Sequence, residues 1–409
     1  MENSNIFINV KNRNQPFKMN YKVFGDGEEK CLFIMGLLLG GKYWLSTIKY
    51  FLENNPNKYS ICIYDHVGVG ESEFNGVSSI NDFASDANEL IEHLKWEKVN
   101  IVGVSMGSSI AYELSLMAPS IIKTLNLVSF PPNINYGFLF QKGAQQLYLI
   151  DYIAKKNKVD PSNYLIDLLY SQSFLNSPSR IKQYGNNREF ILPLLSKMYN
   201  ERKTISPSII ISTMFAMIKY KIKPYNKIKE KVLNRPFPIV MFFGTHDKFI
   251  DCKRVIKTYD IIQPNLIYIC ENSGHSLQLE DVLQFNKVTQ NFFNYNLKSN
   301  NSRPEFLNQK ILKKNELTNN DEYTKRVFKE SIKDINFNNN NNNNFNNNNI
   351  NNNNFLNNLN IIKNKNLNNI LFQRFSTFSN NLNNFNKNLN LTILKSISNN
   401  LILNLKKFK

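Results

Sequence analysis

Six short runs of apolar residues, at 31–35, 59–64, 99–104, 124–129, 239–243 and 266–270, punctuate the chain before residue 298. Segments with helical spacing alternate with them, at 43–53, 80–94, 106–117, 255–262 and 282–295. In 80–94 the apolar positions Phe83, Ala87, Leu90, Ile91 and Leu94 fall on one face of a helix. A run that is apolar throughout suits a strand covered on both faces, and parallel strands need a crossover of helix length between them. The expected fold is therefore α/β, a mostly parallel sheet with helices on both faces. Ahead of it, residues 5–10 and 17–24 alternate apolar with polar and read as a hairpin-like pair closed by Gly25-Asp26-Gly27.

The alternation breaks between residues 131 and 235. That stretch is rich in Tyr, Leu, Ile and Lys with mainly helical spacing, as in 144–154 and 209–220, and it lies between two sheet strands. It reads as an inserted helical cap, with residues 1–130 and 236–297 forming the N- and C-terminal parts of the core. From 298 to 409 the chain turns charged and polar and then becomes an asparagine tract. Such a composition buries too little apolar surface to offset its ordering entropy, so a disordered low-complexity tail is expected. Its end, residues 391–409, is apolar and basic; a merely biased tail is the favoured reading, contact with a membrane surface the weaker one.

The formal net charge is +18, which raises nucleic acid as a partner. Residues 335–409 carry eight of those charges and no acid, leaving +10 scattered over residues 1–334. No stripe alternates basic with aromatic residues, so no nucleic acid is expected. Cys31, Cys62, Cys252 and Cys270 make no CxxC or metal-spaced set and read as reduced thiols. Residues 1–10 resemble no secretory leader, and no apolar stretch reaches bilayer length. A cytoplasmic protein without metal or cofactor is expected.

The chemistry centres on Gly103-Val104-Ser105-Met106-Gly107, which ends the run 99–104 and opens the segment 106–117. A serine at such a strand-to-helix turn needs a strained backbone, so small residues are required two positions to either side, here Gly103 and Gly107. The helix start also presents unpaired N–H groups to developing negative charge. A serine hydroxyl needs a base, and the base needs an orienting group. Of the four histidines, His275 lies in a loop directly after the run 266–270, where it can reach a neighbouring strand end. His93 reads as a helix-face residue, His66 as a packing residue and His246 as an exposed loop residue. Asp247 follows the run 239–243 in the same way and is preferred over Asp251 as the acid that holds the imidazole tautomer. The backbone N–H of Met106 and that of Leu37, after Gly36, would form the oxyanion hole.

At these residues the chain resembles the α/β-hydrolase superfamily, in its capped esterase and lipase-like branch, over about residues 17–297. Asp65-His66-Val67-Gly68-Val69-Gly70-Glu71-Ser72 matches the family's Asp-x-x-Gly-x-Gly-x-Ser turn. The resemblance implies the α/β-hydrolase fold, with Ser105, Asp247 and His275 as nucleophile, acid and base and Leu37 and Met106 at the oxyanion hole. Two departures stand out. Met35-Gly36 replaces the family's frequent His-Gly, and Val67 stands where an arginine is usual. Ser105 argues against the epoxide hydrolase and dehalogenase members, whose nucleophile is an aspartate.

The expected function is cofactor-free hydrolysis of a carboxylic ester through an acyl-enzyme, on a small-molecule or lipid substrate. Phe138, Leu147, Tyr148, Leu169 and Tyr170 in the cap suggest an apolar acyl chain. The alternatives are the same triad acting on a thioester, amide or carbon–carbon bond, and an inactive fold used as a binding module.

Overall fold

In the computed structural model of the chain, the described residues are 6–131 except 14 and 77, then 150, 154, 157–220 except 180 and 204–206, 234–250, 258, 261–294 and 311–312. The chain divides into two units, Met1–Asp334 and Ile335–Lys409, and every described residue belongs to the first. Almost all of the expected disordered tail and of the helices expected at 144–154 and 255–262, the side chains Phe138, Leu147 and Tyr148, and the rival acid Asp251 lie outside the described residues.

Among the described residues nine strands form one sheet: β1 (Ile6–Val10), β2 (Phe17–Phe24), β3 (Glu29–Ile34), β4 (Tyr59–Tyr64), β5 (Val99–Val104), β6 (Ile122–Val128), β7 (Ile239–Gly244), β8 (Leu266–Cys270) and β9 (Ile311–Leu312). Their order is β1-β2-β4-β3-β5-β6-β7-β8-β9. The run β4-β3-β5-β6-β7-β8 is parallel throughout. β1 with β2, β2 with β4, and β8 with β9 are antiparallel. All six apolar runs are strands, and β4 to β8 are buried almost without interruption, as strands covered on both faces must be.

Two sequence readings need correction. The hairpin-like pair β1–β2 forms, but Gly25-Asp26-Gly27 does not close it; that segment leads from β2 into β3. Its glycines are needed because the backbone presses on the start of β4. A Cβ on Gly25, at φ +74°, would lie 2.3 Å from the Tyr59 carbonyl oxygen. The second concerns the edge after β8. Ile311–Leu312 pairs there, inside the stretch read from composition as tail. Two residues held by backbone hydrogen bonds at an open sheet edge leave no compositional trace.

Between strands run α1 (Leu45–Asn54), α2 (Ile80–His93) and α3 (Met106–Met117). α4 (Ser162–Leu169), α5 (Gln172–Asn176), α6 (Asn187–Lys203) and α7 (Pro207–Lys219) lie between β6 and β7, and α8 (Leu277–Glu280) and α9 (Val282–Phe292) follow β8. α1 packs with α9, and α2 with α3. On the α1–α9 face Trp44, Ile48, Phe51, Phe285 and Phe292 meet Phe33, Tyr59, Ile61, Phe242 and Tyr268 in one buried cluster. Alternate strand residues such as Leu32, Cys62 and Ile101 are equally buried, and strand geometry turns them to the other face.

α2 starts on a capping box, with Ser79 and Asp82 each taking the other's backbone N–H. Its Asp86 is buried and receives the Arg13 guanidinium side-on, Nε to Oδ1 at 2.7 Å and Nη2 to Oδ2 at 2.5 Å. Arg13 also donates to Ser78 Oγ at 2.7 Å and lies over the rings of Phe17 and Phe83. In the strand register Ile34 stands beside Gly103, Val104 beside Val128 and Gly244 beside Cys270. The loops after β3, β5, β6, β7 and β8 therefore share one rim of the sheet, the edge where α/β folds place their sites.

Candidate active site

Ser105 sits between β5 and α3 at φ +54°, ψ −119°. A side chain in that region costs about 1–3 kcal/mol of backbone strain, so the surroundings must hold it there. They do so by close packing. A Cβ on Gly103 would lie 2.3 Å from the Gly107 carbonyl oxygen, and one on Gly107 would lie 2.3 Å from that of Ile34 and 2.5 Å from that of Met35. The turn is pinned to β6 by the Ser105 N–H donating to the Val128 carbonyl at 2.8 Å.

His275 comes from the loop after β8. Its Nε2 is 3.0 Å from Ser105 Oγ, across 170 residues of sequence. Its Nδ1 is 2.8 Å from Asp247 Oδ2, and the Asp247 side chain is 0% exposed. Asp247 Oδ1 accepts the N–H groups of Phe249 and Ile250 at 2.8 and 2.9 Å, so the carboxylate is aimed by its own loop. An acceptor facing Nδ1 places the ring proton there and leaves the Nε2 lone pair toward the hydroxyl. The Phe249 ring lies 4.8 Å from the imidazole, centroid to centroid. Ser129 Oγ donates to the His275 carbonyl at 2.9 Å. The two loops interlock at Gly244, where a Cβ would lie 2.2 Å from the Ser273 carbonyl oxygen.

Gly36 lies beside the serine, its added Cβ 3.4 Å from Ser105 Cβ, and the Leu39 N–H turns back to the Gly36 carbonyl at 3.4 Å. Leu37 is half-buried in this turn, and Leu38 has φ +57°. Met106 is the first residue of α3, where the backbone N–H has no partner within the helix. Ser105, Asp247 and His275 are thus brought together, with Leu37 and Met106 on the two segments that flank the serine.

The other histidines have contacts of their own. His66 is buried, with Nε2 3.0 Å from the Met35 carbonyl and its ring edge-on to Tyr64 and Phe83. Burial lowers its pKa, which favours the neutral ring that donates to Met35. His93 Nε2 meets the Tyr21 hydroxyl at 3.1 Å, and His246 Nδ1 meets Thr245 Oγ1 at 2.9 Å. Cys31, Cys62 and Cys270 are buried; Cys252 lies outside the described residues.

Sequence reasoning missed what steadies the loops. Asp65 takes the Gly41 N–H at 2.8 Å on one oxygen, and Asn20 Nδ2 and the Glu71 N–H at 2.8 and 3.1 Å on the other. It thereby ties the loop after β3 to the turn after β4. The Asp-x-x-Gly-x-Gly-x-Ser pattern was the signal, because Gly70 is needed to admit that carboxylate: a Cβ there would lie 2.3 Å from Asp65 Oδ2. Val67 is buried, and Arg13, on the turn before β2, places its guanidinium on Asp86 of α2. Nothing local in the sequence pointed to that.

A strained serine at a strand-to-helix turn, facing an aspartate and a histidine from the loops after β7 and β8 of a mostly parallel sheet, defines a hydrolase-type α/β fold. Residues 32–282 match the family described as alpha/beta hydrolase fold, and the chain belongs to that family. Among known proteins it is similar to RutD of Azorhizobium caulinodans, named as a candidate carbamate hydrolase, with 28% identity over 110 residues. That match takes in 27% of this chain and 40% of the relative, so the chain spans about two-fifths of the relative's length. A thermophilic esterase from Thermogutta terrifontis superposes with a TM-score of 0.54 at 14% identity, covering 71% of this chain and 97% of the esterase. A bromoperoxidase from Bacillus anthracis gives 0.53 at 18% identity, with 71% of this chain and 100% of the other covered. At such identities the two likenesses bear on the fold alone. Among the described residues no helix is long and apolar enough to cross a membrane.

Proposed function

We propose that the chain is a serine hydrolase that cleaves a carboxylic ester through an acyl-enzyme. The observation that carries this reading is the continuous hydrogen-bonded path from Ser105 Oγ to His275 Nε2 at 3.0 Å and from His275 Nδ1 to Asp247 Oδ2 at 2.8 Å. Ser105 Oγ bonds to the acyl carbon as its proton passes to His275 Nε2. The carbonyl electron pair moves onto the oxygen, which the N–H groups of Met106 and Leu37 receive. Collapse of that intermediate breaks the bond to the alcohol oxygen, which takes the proton from His275. Water then attacks the acyl-enzyme, gives its proton to His275, and Ser105 regains it as the acid leaves. Asp247 orients the ring and stabilises the imidazolium. Each oxyanion donor is worth roughly a hundred- to thousandfold in rate.

An apolar acyl group is the preferred substrate. Phe249, beside the imidazole, supplies apolar surface next to the reacting groups, and Tyr170 stacked on Phe174 adds a buried aromatic pair to the cap. The likeness to RutD favours, as a second reading, a carbamate carbonyl at the same serine. A fluorophosphonate probe tests the shared chemistry: labelling that disappears in Ser105→Ala is expected, and an unlabelled folded protein sinks both readings. Turnover of matched ester, carbamate, thioester and amide substrates then separates the bond types, with the ester expected to be fastest.

A further inference from the structure

The loop that carries His275 is fastened to the cap as well as to the sheet. On the sheet side, Ser129 Oγ holds the His275 carbonyl and the His246 N–H holds the Ser273 carbonyl at 2.9 Å. On the cap side, the Ser276 N–H donates to the Leu169 carbonyl at 3.0 Å, and Ser173 Oγ donates to the Asn272 carbonyl at 3.1 Å. One side chain joins these two sets. Glu280, at the end of α8, accepts the Gly274 N–H on Oε1 at 2.8 Å, immediately before the histidine. The same oxygen accepts the Ser171 N–H at 3.1 Å, and Oε2 accepts Ser171 Oγ at 2.6 Å. Ser171 stands between α4 and α5 and caps α5 through Phe174 N.

The contact is tight. A Cβ on Gly274 would lie 2.8 Å from the Leu169 carbonyl oxygen, 2.9 Å from Glu280 Oε1 and 3.0 Å from Ser171 N. Burial is also severe enough to push the Glu280 carboxyl up to about 7, against the pull of its three donors and with the Asp247 charge adding to the rise. An apolar side chain would fill this space without that penalty, so the oxygens are what the position requires.

We propose that Glu280 is a positioning residue for His275, joining the histidine loop to the cap so that cap seating and the His275–Ser105 hydrogen bond depend on each other. This deepens the serine-hydrolase reading and rests on it. A substrate that draws the cap inward would, by the same connection, steady the imidazole against the serine.

The test compares Glu280→Met, which keeps length but removes both acceptors, with Glu280→Gln, which keeps an acceptor for the two N–H groups and can donate to Ser171 Oγ. Two readouts are used on the full chain: the rate of fluorophosphonate labelling of Ser105, and the low-field proton resonance of His275 Nδ1–H bonded to Asp247. Glu280→Met is expected to slow labelling about tenfold to a hundredfold, the scale of an ångström of misplacement, and to shift or broaden the resonance. Glu280→Gln is expected to recover both. Wild-type labelling and an unmoved resonance in Glu280→Met overturn the proposal, and so does a Gln variant as slow as the Met variant. If Glu280→Met does not fold, Ser171→Ala decides, slower labelling supporting the proposal and a wild-type rate overturning it. If the wild-type chain itself is not labelled, the hydrolase reading fails. The resonance still tests the hold on His275: lost in Met and kept in Gln supports it, unmoved in both overturns it.

Discussion

Replacing Arg13 by methionine should destabilise the fold strongly at neutral pH and weakly in acid. The side chain is 8% exposed, its partner Asp86 only 2%, and the substitution removes two hydrogen bonds to that carboxylate and one to Ser78 Oγ. Breaking one side of a buried ion pair typically costs about 3–5 kcal/mol, because the remaining charge is left without compensation. The pH dependence follows from Asp86. Burial pushes its carboxyl from the ordinary 3.8 up to about 6, although the Arg13 guanidinium pulls the other way. A carboxyl whose folded pKa is raised binds its proton more readily folded than unfolded, so stability falls as pH rises between those two values and levels off above them. Without Arg13 the folded pKa rises further, so the fall is larger and extends to higher pH. Urea unfolding of wild-type and Arg13→Met chains at pH 7.5 should give a difference of about 3–5 kcal/mol. At pH 4.5, where Asp86 is protonated in the folded state, the difference should shrink to below about 2 kcal/mol, the scale of the lost hydrogen bonds. Adding Asp86→Leu to Arg13→Met should recover at least half of the loss at pH 7.5. Equal differences at the two pH values, or one below about 1 kcal/mol at pH 7.5, would refute the reasoning.

Ser105→Ala and His275→Ala should each abolish turnover while shifting the melting temperature little; an active variant removes that residue from the mechanism. Asp247→Asn should lower kcat by about ten-thousandfold, since an amide at this place favours the wrong imidazole tautomer, and a loss under tenfold in steady-state kinetics would exclude the orienting role. Gly107→Ala puts a methyl group against two backbone carbonyls of the β3 end. It should cost about 1–3 kcal/mol by calorimetry and slow Ser105 labelling, because the segment that must move leads into Gly36 and Leu37.

Much of this arrangement is written locally. The runs that became β4, β5 and β8 carry the same bounds in sequence and structure, because a strand buried on both faces must be apolar at every position. Ser105 was legible for a steric reason: the closeness of Gly103 to Gly107, and of Gly107 to the end of β3, forbids side chains at both places. His275 and Asp247 were legible from position, each in a loop directly after an apolar run, on the rim where parallel strands end together. The Gly25-Asp26-Gly27 turn was misread because a glycine-rich turn looks the same whether it closes one strand pair or leads to the next.

Sequence alone determined every strand but β9, the strained serine turn and the three side chains that meet there, because sterics and burial act on neighbours along the chain. Tertiary structure decided the strand order, the Arg13–Asp86 pair, the hold of Asp65 on the loop after β3 and the link from Glu280 to Ser171. Those polar contacts join residues 73, 24 and 109 positions apart, and no local periodicity marks them. A buried charge is stabilised by whichever donors the fold brings to it, and only the folded chain specifies which those are.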